Sequence, residues 1–155
     1  GRKKYYLDPQ MTGMDYIPVT AVPGIEISGL ASPRSIPAPG SRWAAEDAAA
    51  AVQILDVLYR MDLHFQQQDQ IEKPLLDEIA AIDVSNFASR QSNTEPHIIL
   101  SIEDGTKIFW GAAWGQAARY LEQDEEEKLT ELYQFYMDHN STLQGTAKYI
   151  GLRQL

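Results

Sequence analysis

The sequence contains no cysteine, which excludes disulfides, thiolate zinc sites and cysteine nucleophiles together. Basic residues are scarce as well, because 13 Lys and Arg against 22 Asp and Glu leave a net charge of -9. An acidic chain repels phosphate backbones, so nucleic acid is not an expected partner. No run of about 18 apolar residues occurs, so the sequence contains no candidate membrane-spanning helix.

The length and the apolar content are those of one globular domain: 155 residues, of which 44% are apolar. The chain begins Gly1-Arg2-Lys3 and not with methionine. We therefore expect an excised fragment in which residues 2–155 form a single domain. Gly1 is then a remnant of tag removal, and the sequence leaves open whether a membrane anchor lies upstream.

Two amphipathic helices are predicted. The first, near residues 42–61, follows a proline-rich loop at 31–41 and has Ser41 as a suitable N-cap before a run of alanines. The second begins at the acidic run Asp124–Glu127, where negative charge is favoured, and ends near His139. Its apolar face repeats at helical spacing and consists of Leu129, Leu132, Tyr133, Tyr136 and Met137.

Strands are predicted on both sides of these helices. The pair Asp104-Gly105 separates two β-rich runs and favours a hairpin with a type I′ turn over residues 97–110. Alternating apolar residues predict further strands at 17–22 and 82–84, and a final strand at 147–152. This order indicates an α+β fold with two main helices packed on a mostly antiparallel sheet.

Catalytic motifs are absent from the sequence: no phosphate-binding glycine loop, zinc-binding HExxH or nucleophile elbow occurs. His64, His97 and His139 are far apart in the chain and are interpreted as structural. The acidic run at 124–127 lacks the glycine bend typical of a calcium loop. We therefore predict a non-enzymatic domain with no catalytic residue, metal or cofactor. A hydrolase whose carboxylates converge from distant positions stays open as an alternative.

Trp110 and Trp114 are candidate binding aromatics, because indoles can stack on sugar rings or anchor a protein partner. Strand alternation places Phe109 and Trp110 on opposite faces of a sheet, so at least one of them is expected in the core. Two exposed indoles side by side would favour an alternative function, a carbohydrate- or peptidoglycan-binding module of the cell envelope.

The segment 98–111, Ile-Ile-Leu-Ser-Ile-Glu-Asp-Gly-Thr-Lys-Ile-Phe-Trp-Gly, has a strand, a turn glycine, a second strand and a closing glycine. This pattern resembles the extracytoplasmic domain of the bacterial cell-division proteins FtsQ/DivIB. Glu127-Lys128-Leu129 with Leu132 is similar to that family's following helix. Residues 149–153 are similar to its closing strand, with Gly151 where aspartate is usual. Residues 7–13 and 23–29 match its upstream pattern more loosely.

The resemblance implies a scaffold of the divisome that has no catalytic activity. Members of the family are single-span membrane proteins with a POTRA module ahead of this domain, on the extracytoplasmic side of the inner membrane. Their partners are FtsB- and FtsL-like membrane proteins, bound by strand addition at a C-terminal sheet edge. The family's partner-binding strand would run just past Leu155, so either it is missing or the edge is residues 147–153. The partner-binding residues implied here are Tyr149, Ile150, Gly151, Leu152 and Arg153.

Overall fold

A computed structural model describes residues 6–7, 13–14, 24–31 and 45–154. The predicted strand at 17–22, the Ser41 cap and all but the first residue of the loop at 31–41 lie outside the described residues. Strands β1 (Tyr6–Leu7) and β2 (Gly13–Met14) pair antiparallel in a sheet of their own. The other described strands build one larger sheet, which is accompanied by two α-helices and three short 3-10 helices.

The larger sheet has five strands, arranged in the order in which they follow along the chain. They are β3 (Glu26–Ser28), β4 (Ile79–Asp83), β5 (Ile98–Ile102), β6 (Lys107–Gly111) and β7 (Tyr149–Gly151). The pairs β4–β5 and β5–β6 are antiparallel, whereas β3–β4 and β6–β7 are parallel. The α+β class is confirmed, but the sheet is mixed, so the prediction of a mostly antiparallel sheet is only partly met. Each parallel pair is joined by a segment that contains a helix, as a parallel crossover requires.

The two predicted helices are present with shifted bounds. Helix α1 spans Glu46–Gln67 and helix α2 spans Glu125–Asp138. The last turns of α1 run past the predicted end near residue 61, because Phe65 stacks on Tyr133 with ring centroids 5.0 Å apart. At the start of α2 the Asp124 carboxylate accepts from the N–H of Glu126 at 3.1 Å, so an acidic N-cap begins the helix as expected.

The hairpin between β5 and β6 is confirmed, but its turn is not type I′. Only Gly105 has a positive φ, +97°, whereas a type I′ turn needs positive φ at Asp104 as well. The N–H of Gly105 donates to Ile102 O at 3.0 Å, and the N–H of Ile102 donates to Thr106 O at 2.8 Å. This is a three-residue loop with glycine in the left-handed position.

Both helices pack on one face of the sheet and on each other. The core joins Leu58 of α1, Leu132 of α2 and the inward side chains of the strands. The Tyr133 hydroxyl shares its proton between Leu58 O at 2.9 Å and Asp62 Oδ1 at 2.8 Å and ties the helices together. Side chains on the opposite face are half-buried or exposed, among them Ile99, Ser101, Lys107, Phe109 and Tyr149. In the part of the chain that the structure describes, no helix has the length and hydropathy to cross a membrane.

Candidate partner-binding edge

Strand β7 lies at one end of the five-stranded order, so its second side faces away from the sheet. Lys107 N–H donates to Lys148 O at 3.1 Å and Leu152 N–H donates to Phe109 O at 3.1 Å. In a parallel ladder, alternate residues face the neighbouring strand. The N–H and C=O of Ile150 therefore point to β6, and those of Tyr149 and Gly151 point outward. Within the described chain, this edge offers two donors and two acceptors to another strand.

The start of β7 is held by the turn of the preceding hairpin. Asp104 accepts from the N–H of Thr106 at 2.9 Å and from the N–H of Gly145 at 2.8 Å. The first of these bonds is the main reason that the pKa of Asp104 is lowered. The Thr106 hydroxyl donates to Ala147 O at 3.0 Å. The loop that leads into β7 is therefore tied to a rigid part of the sheet.

The chain beyond β7 is held by the segment that leads into α2. Gln123 N–H donates to Arg153 O at 2.8 Å, and its side-chain amide donates to Leu152 O at 2.9 Å. The Arg153 guanidinium donates to Thr94 O at 3.2 Å, across the top of the sheet. These bonds fix the edge in position, so a partner strand would meet a preformed template.

The five residues implied as partner-binding have different surroundings. Tyr149 is 61% exposed, whereas Ile150 and Leu152 are buried in the core at 8% and 0%. Ile150 and Leu152 therefore anchor the strand, and their side chains cannot meet a partner. Gly151 is exposed at the edge, and Arg153 is half-buried with its guanidinium bonded inside the domain. The accessible part of this set is the Tyr149 side chain and the backbone of Tyr149 and Gly151.

An aromatic pair lies beside the edge on the helix-free face. Phe109 stacks on Tyr149 with ring centroids 5.3 Å apart and an interplanar angle of 18°. Phe109 is the register partner of Gly151, but its ring stacks on Tyr149, and a Cβ built on Gly151 meets nothing within 4 Å. Lys107, the register partner of Tyr149, donates to the Ser101 hydroxyl at 2.9 Å. A partner strand would therefore meet an apolar surface on this side.

Trp110, one of the two candidate binding aromatics, is fully buried at 0% exposure, so the two exposed indoles that a carbohydrate-binding module would need are not present. A buried ring has no free face for a sugar, because helix α2 covers it. Trp114 is half-buried and stacks on Trp110 with centroids 6.1 Å apart. Phe109 and Trp110 do lie on opposite faces, as alternation predicts. The tryptophans thus extend the core toward the end of the sheet and do not form a paired surface site.

A buried ion pair next to Trp110 was not predicted from the sequence. Lys128 Nζ lies 2.7 Å from Glu122 Oε1, and both side chains are almost fully buried. The ammonium also lies 5.2 Å from the centroid of the Trp110 ring, a cation–π distance. Glu122 accepts from the N–H of Ala112 at 2.9 Å as well. Helical spacing could have placed Lys128 in the core, because it lies four residues before the core residue Leu132. The spacing gives no indication of Glu122, because that residue precedes the helix.

The histidines do not converge in space. His64 is exposed in the last turn of α1, and His139 follows α2 and stacks on Phe135 at 4.1 Å between centroids. His97 is buried against Tyr120, and burial lowers its pKa. It lines a recess of about 200 Å³ with Asp83 and other polar residues, but no described side chain hydrogen-bonds to its ring. Among the described residues, no group of three or more His, Asp or Glu is placed to hold a metal ion.

Three buried carboxylates accept hydrogen bonds from backbone N–H groups, each in a different part of the domain. Asp62 accepts from the N–H groups of Leu75 and Leu76 and from the Tyr133 hydroxyl, and burial raises its pKa. Glu78 accepts from the Thr142 hydroxyl and the N–H of Leu143, which lies in the loop before β7. Asp47 joins the start of α1 to the segment after β3 through the N–H of Ala31 and is paired with Arg90 at 3.1 Å. Each carboxylate stabilises a loop or a helix end, and none of the three contacts another.

No protein-family model, curated protein or solved structure matches this chain.

Proposed function

We propose that this domain is a non-catalytic scaffold that holds partner proteins by adding one of their strands to the edge of β7. The observation that carries the proposal is the position of β7 at the end of the sheet, with the backbone of Tyr149 and Gly151 directed outward. An exposed strand edge invites pairing with another chain, and native proteins usually blunt or cover such edges. This edge has neither a proline nor an inward-pointing charge within the strand.

The surroundings of the edge support a binding role. The strand is anchored on both sides, by Asp104 at its start and Gln123 beyond its end, so little ordering is required on association. Tyr149 exposes most of its ring on a surface that is otherwise half-buried. Tyrosine is enriched among residues that dominate protein–protein interfaces. The edge therefore combines backbone pairing with an aromatic anchor.

For the biological process, the resemblance of the hairpin, α2 and β7 to FtsQ/DivIB favours the bacterial divisome. The partners are then FtsB- and FtsL-like membrane proteins, and the domain works on the extracytoplasmic side of the inner membrane, anchored by a span outside this chain. The carbohydrate-binding alternative loses its main support because Trp110 is buried.

The test is a binding assay with purified extracytoplasmic fragments of FtsB- and FtsL-like proteins, measured by calorimetry. Gly151→Pro removes an outward N–H and leaves the bonds to β6 in place. Gly151→Ala is the matched control, because a Cβ at this position meets nothing within 4 Å and the N–H is kept. Tyr149→Pro, compared with Tyr149→Thr, repeats the test at the other outward residue.

We expect the proline variants to lose most of the binding, while the matched variants keep the backbone contribution. Thermal unfolding of each variant verifies that the fold is retained. Equal affinity for Gly151→Pro and Gly151→Ala would show that the edge is not used. No binding by the unaltered domain at fragment concentrations up to about millimolar, the effective concentration that tethering supplies, would remove the proposed partners.

A further inference from the structure

A polar recess of about 200 Å³ opens at the end of the sheet where β4 ends and β5 begins. Asp83 and its register partner Ile99 line the recess from the two strands, and the loop that joins the strands supplies the rest of its lining. Pockets for drug-sized ligands measure about 300–1,000 Å³, whereas one water takes about 30 Å³. The recess therefore has room for a group of the size of one amino-acid side chain.

The loop around the recess is held in place by the side-chain amide of Asn86, which is only 7% exposed. Its Nδ2 donates to Ser92 O at 3.0 Å and to Glu95 O at 2.9 Å. Its Oδ1 accepts from the N–H groups of Gln91 and Ser92 at 2.9 and 2.8 Å. The recess is therefore preformed, so a ligand does not have to order the loop when it binds.

The His97 side chain lines the recess and lacks a hydrogen-bond partner among the described residues. It is 6% exposed, and its ring lies edge-on to Tyr120 with centroids 4.4 Å apart. Burial lowers the pKa of His97, so the ring is neutral at neutral pH. A neutral imidazole has one nitrogen that donates and one that accepts. A buried polar atom without a partner is costly, so the ring favours a ligand that can complete its hydrogen bonding.

The charge of the lining decides which kind of ligand this is. Asp83 and Glu95 supply two carboxylates, and the described lining contains no lysine or arginine. Arg153 lies close enough to contribute to the lowered pKa of His97, but its guanidinium donates to Thr94 O at 3.2 Å. The recess therefore repels anions and attracts cations, so the ligand has to donate hydrogen bonds rather than accept them.

The geometry of Asp83 favours an ammonium over a guanidinium. Its Oδ1 accepts from the N–H of Ser85 at 2.7 Å, which leaves Oδ2 without a donor among the described residues. A guanidinium binds a carboxylate best through both oxygens at once, whereas the three donors of an ammonium can each meet a separate acceptor. Ile99 is half-buried beside Asp83 and offers apolar surface to an alkyl chain that carries the charge.

We propose that this recess binds a primary alkylammonium group, which donates to the Asp83 carboxylate and to the accepting ring nitrogen of His97 while its alkyl chain lies on Ile99. A lysine side chain of another protein and a free amine supply the same chemistry. In the strand order, Ile99 lies two strands from β7 and Asp83 three strands from it. The site is therefore separate from the β7 edge, and the inference does not rest on the proposed function.

The test is an NMR titration with n-butylamine at constant neutral pH, followed through the ring signals of His97 and the amide signals of Ser85 and Asn86. We expect saturable shifts with a Kd of about millimolar. n-Butanol and butyrate, which have similar length without the positive charge, should bind at least about tenfold more weakly. Nα-acetyl-lysine N-methylamide distinguishes the two sources. Binding as tight as that of butylamine assigns the recess to a lysine side chain, and weaker binding assigns it to a free amine.

Two variants locate the site. Asp83→Asn removes the charge and keeps an acceptor for the Ser85 N–H. His97→Phe removes the accepting nitrogen and keeps an aromatic ring against Tyr120. Each should weaken the binding of butylamine about tenfold. The matched control is Asp77→Asn, the same chemical change at an exposed position outside the recess, which should leave the affinity unchanged. Thermal unfolding verifies that each variant is folded.

The proposal is overturned if butylamine moves none of these signals, or if butanol or butyrate binds as tightly as butylamine. It is also overturned if Asp83→Asn weakens binding no more than Asp77→Asn does, because the amine would then respond only to the net charge of the domain. None of these results bears on the β7 edge. Gly151→Pro, which tests that edge, should leave the binding of butylamine intact.

Discussion

Replacing Lys128 by methionine should destabilise the domain by about 3–5 kcal/mol, because it leaves a buried carboxylate without its cation. The ammonium lies 2.7 Å from Glu122 Oε1, and the two side chains are 0% and 3% exposed. Methionine keeps much of the length of the side chain and its packing against Trp110. Glu122 would retain the Ala112 N–H as a partner, but that single bond does not replace the positive charge.

The measurement is urea unfolding of the unaltered domain, Lys128→Met, Glu122→Gln and the double variant. A loss of this size lowers the melting temperature of a domain of this length by roughly 10 °C. The double variant buries no charge, and glutamine can still accept from the Ala112 N–H. It should therefore be more stable than Lys128→Met alone, with a coupling energy of about 2 kcal/mol.

An exposed ion pair provides the matched control. Arg60 lies 2.9 Å from Asp56, but its side chain is 75% exposed, so Arg60→Met should cost no more than about 0.5 kcal/mol. If Lys128→Met cost as little as Arg60→Met, the 128–122 pair would have to be hydrated, and the reasoning would be refuted. Strictly additive losses in the double variant would contradict it as well.

Three further predictions follow from the same groups. Burial and the Asp62 charge raise the pKa of Tyr133. The native state therefore keeps a proton that the unfolded state loses, and the free energy of unfolding should fall as pH rises above about 10. Ultraviolet titration should show this tyrosine ionising only on unfolding. Burial lowers the pKa of His97, so the unfolded state binds the proton first as pH drops. The free energy of unfolding should therefore fall below pH 6.5, the ordinary pKa of histidine. His97→Gln should flatten this part of the stability–pH profile, and an unchanged slope would contradict the prediction. Gly111→Ala combines a φ of +106° with a Cβ that overlaps the Glu122 carboxylate, and should cost about 2–3 kcal/mol in urea unfolding. Gly105→Ala, with a φ of +97° and open space, should cost only about 1 kcal/mol.

Local sequence patterns were sufficient to predict the elements whose ends are determined by neighbouring residues. Asp124 caps α2 because its carboxylate accepts from an N–H within the same turn. This interaction joins residues that are neighbours in the sequence. The pair Asp104-Gly105 located the hairpin for a similar reason. It did not determine the turn type, because the Asp104 carboxylate bonds Thr106 and the distant Gly145, which draws the loop into another conformation.

Features that depend on distant partners could not be predicted in the same way. The parallel pairing of β7 with β6 follows from the crossover of α2 over the sheet, and the strand itself has only three residues. The burial of Trp110 depends on α2 lying above it, and Lys128 is tolerated in the core only because Glu122 folds back to meet it. The spacing of apolar residues alone indicates neither that α2 lies over Trp110 nor that Glu122 pairs with Lys128.

The length of the β7 edge sets a limit on how it can bind. Tyr149 and Gly151 present four outward backbone groups, and four hydrogen bonds contribute about 4 kcal/mol at a net value near 1 kcal/mol each. Association alone costs about 4–15 kcal/mol, so backbone pairing cannot hold a free partner. The missing free energy has to come from side chains on the two sides of the edge, or from tethering in a membrane, which raises the effective concentration to about millimolar. The side chains that flank the β7 edge, among them the stacked pair Phe109 and Tyr149, are therefore where affinity and choice of partner have to be sought.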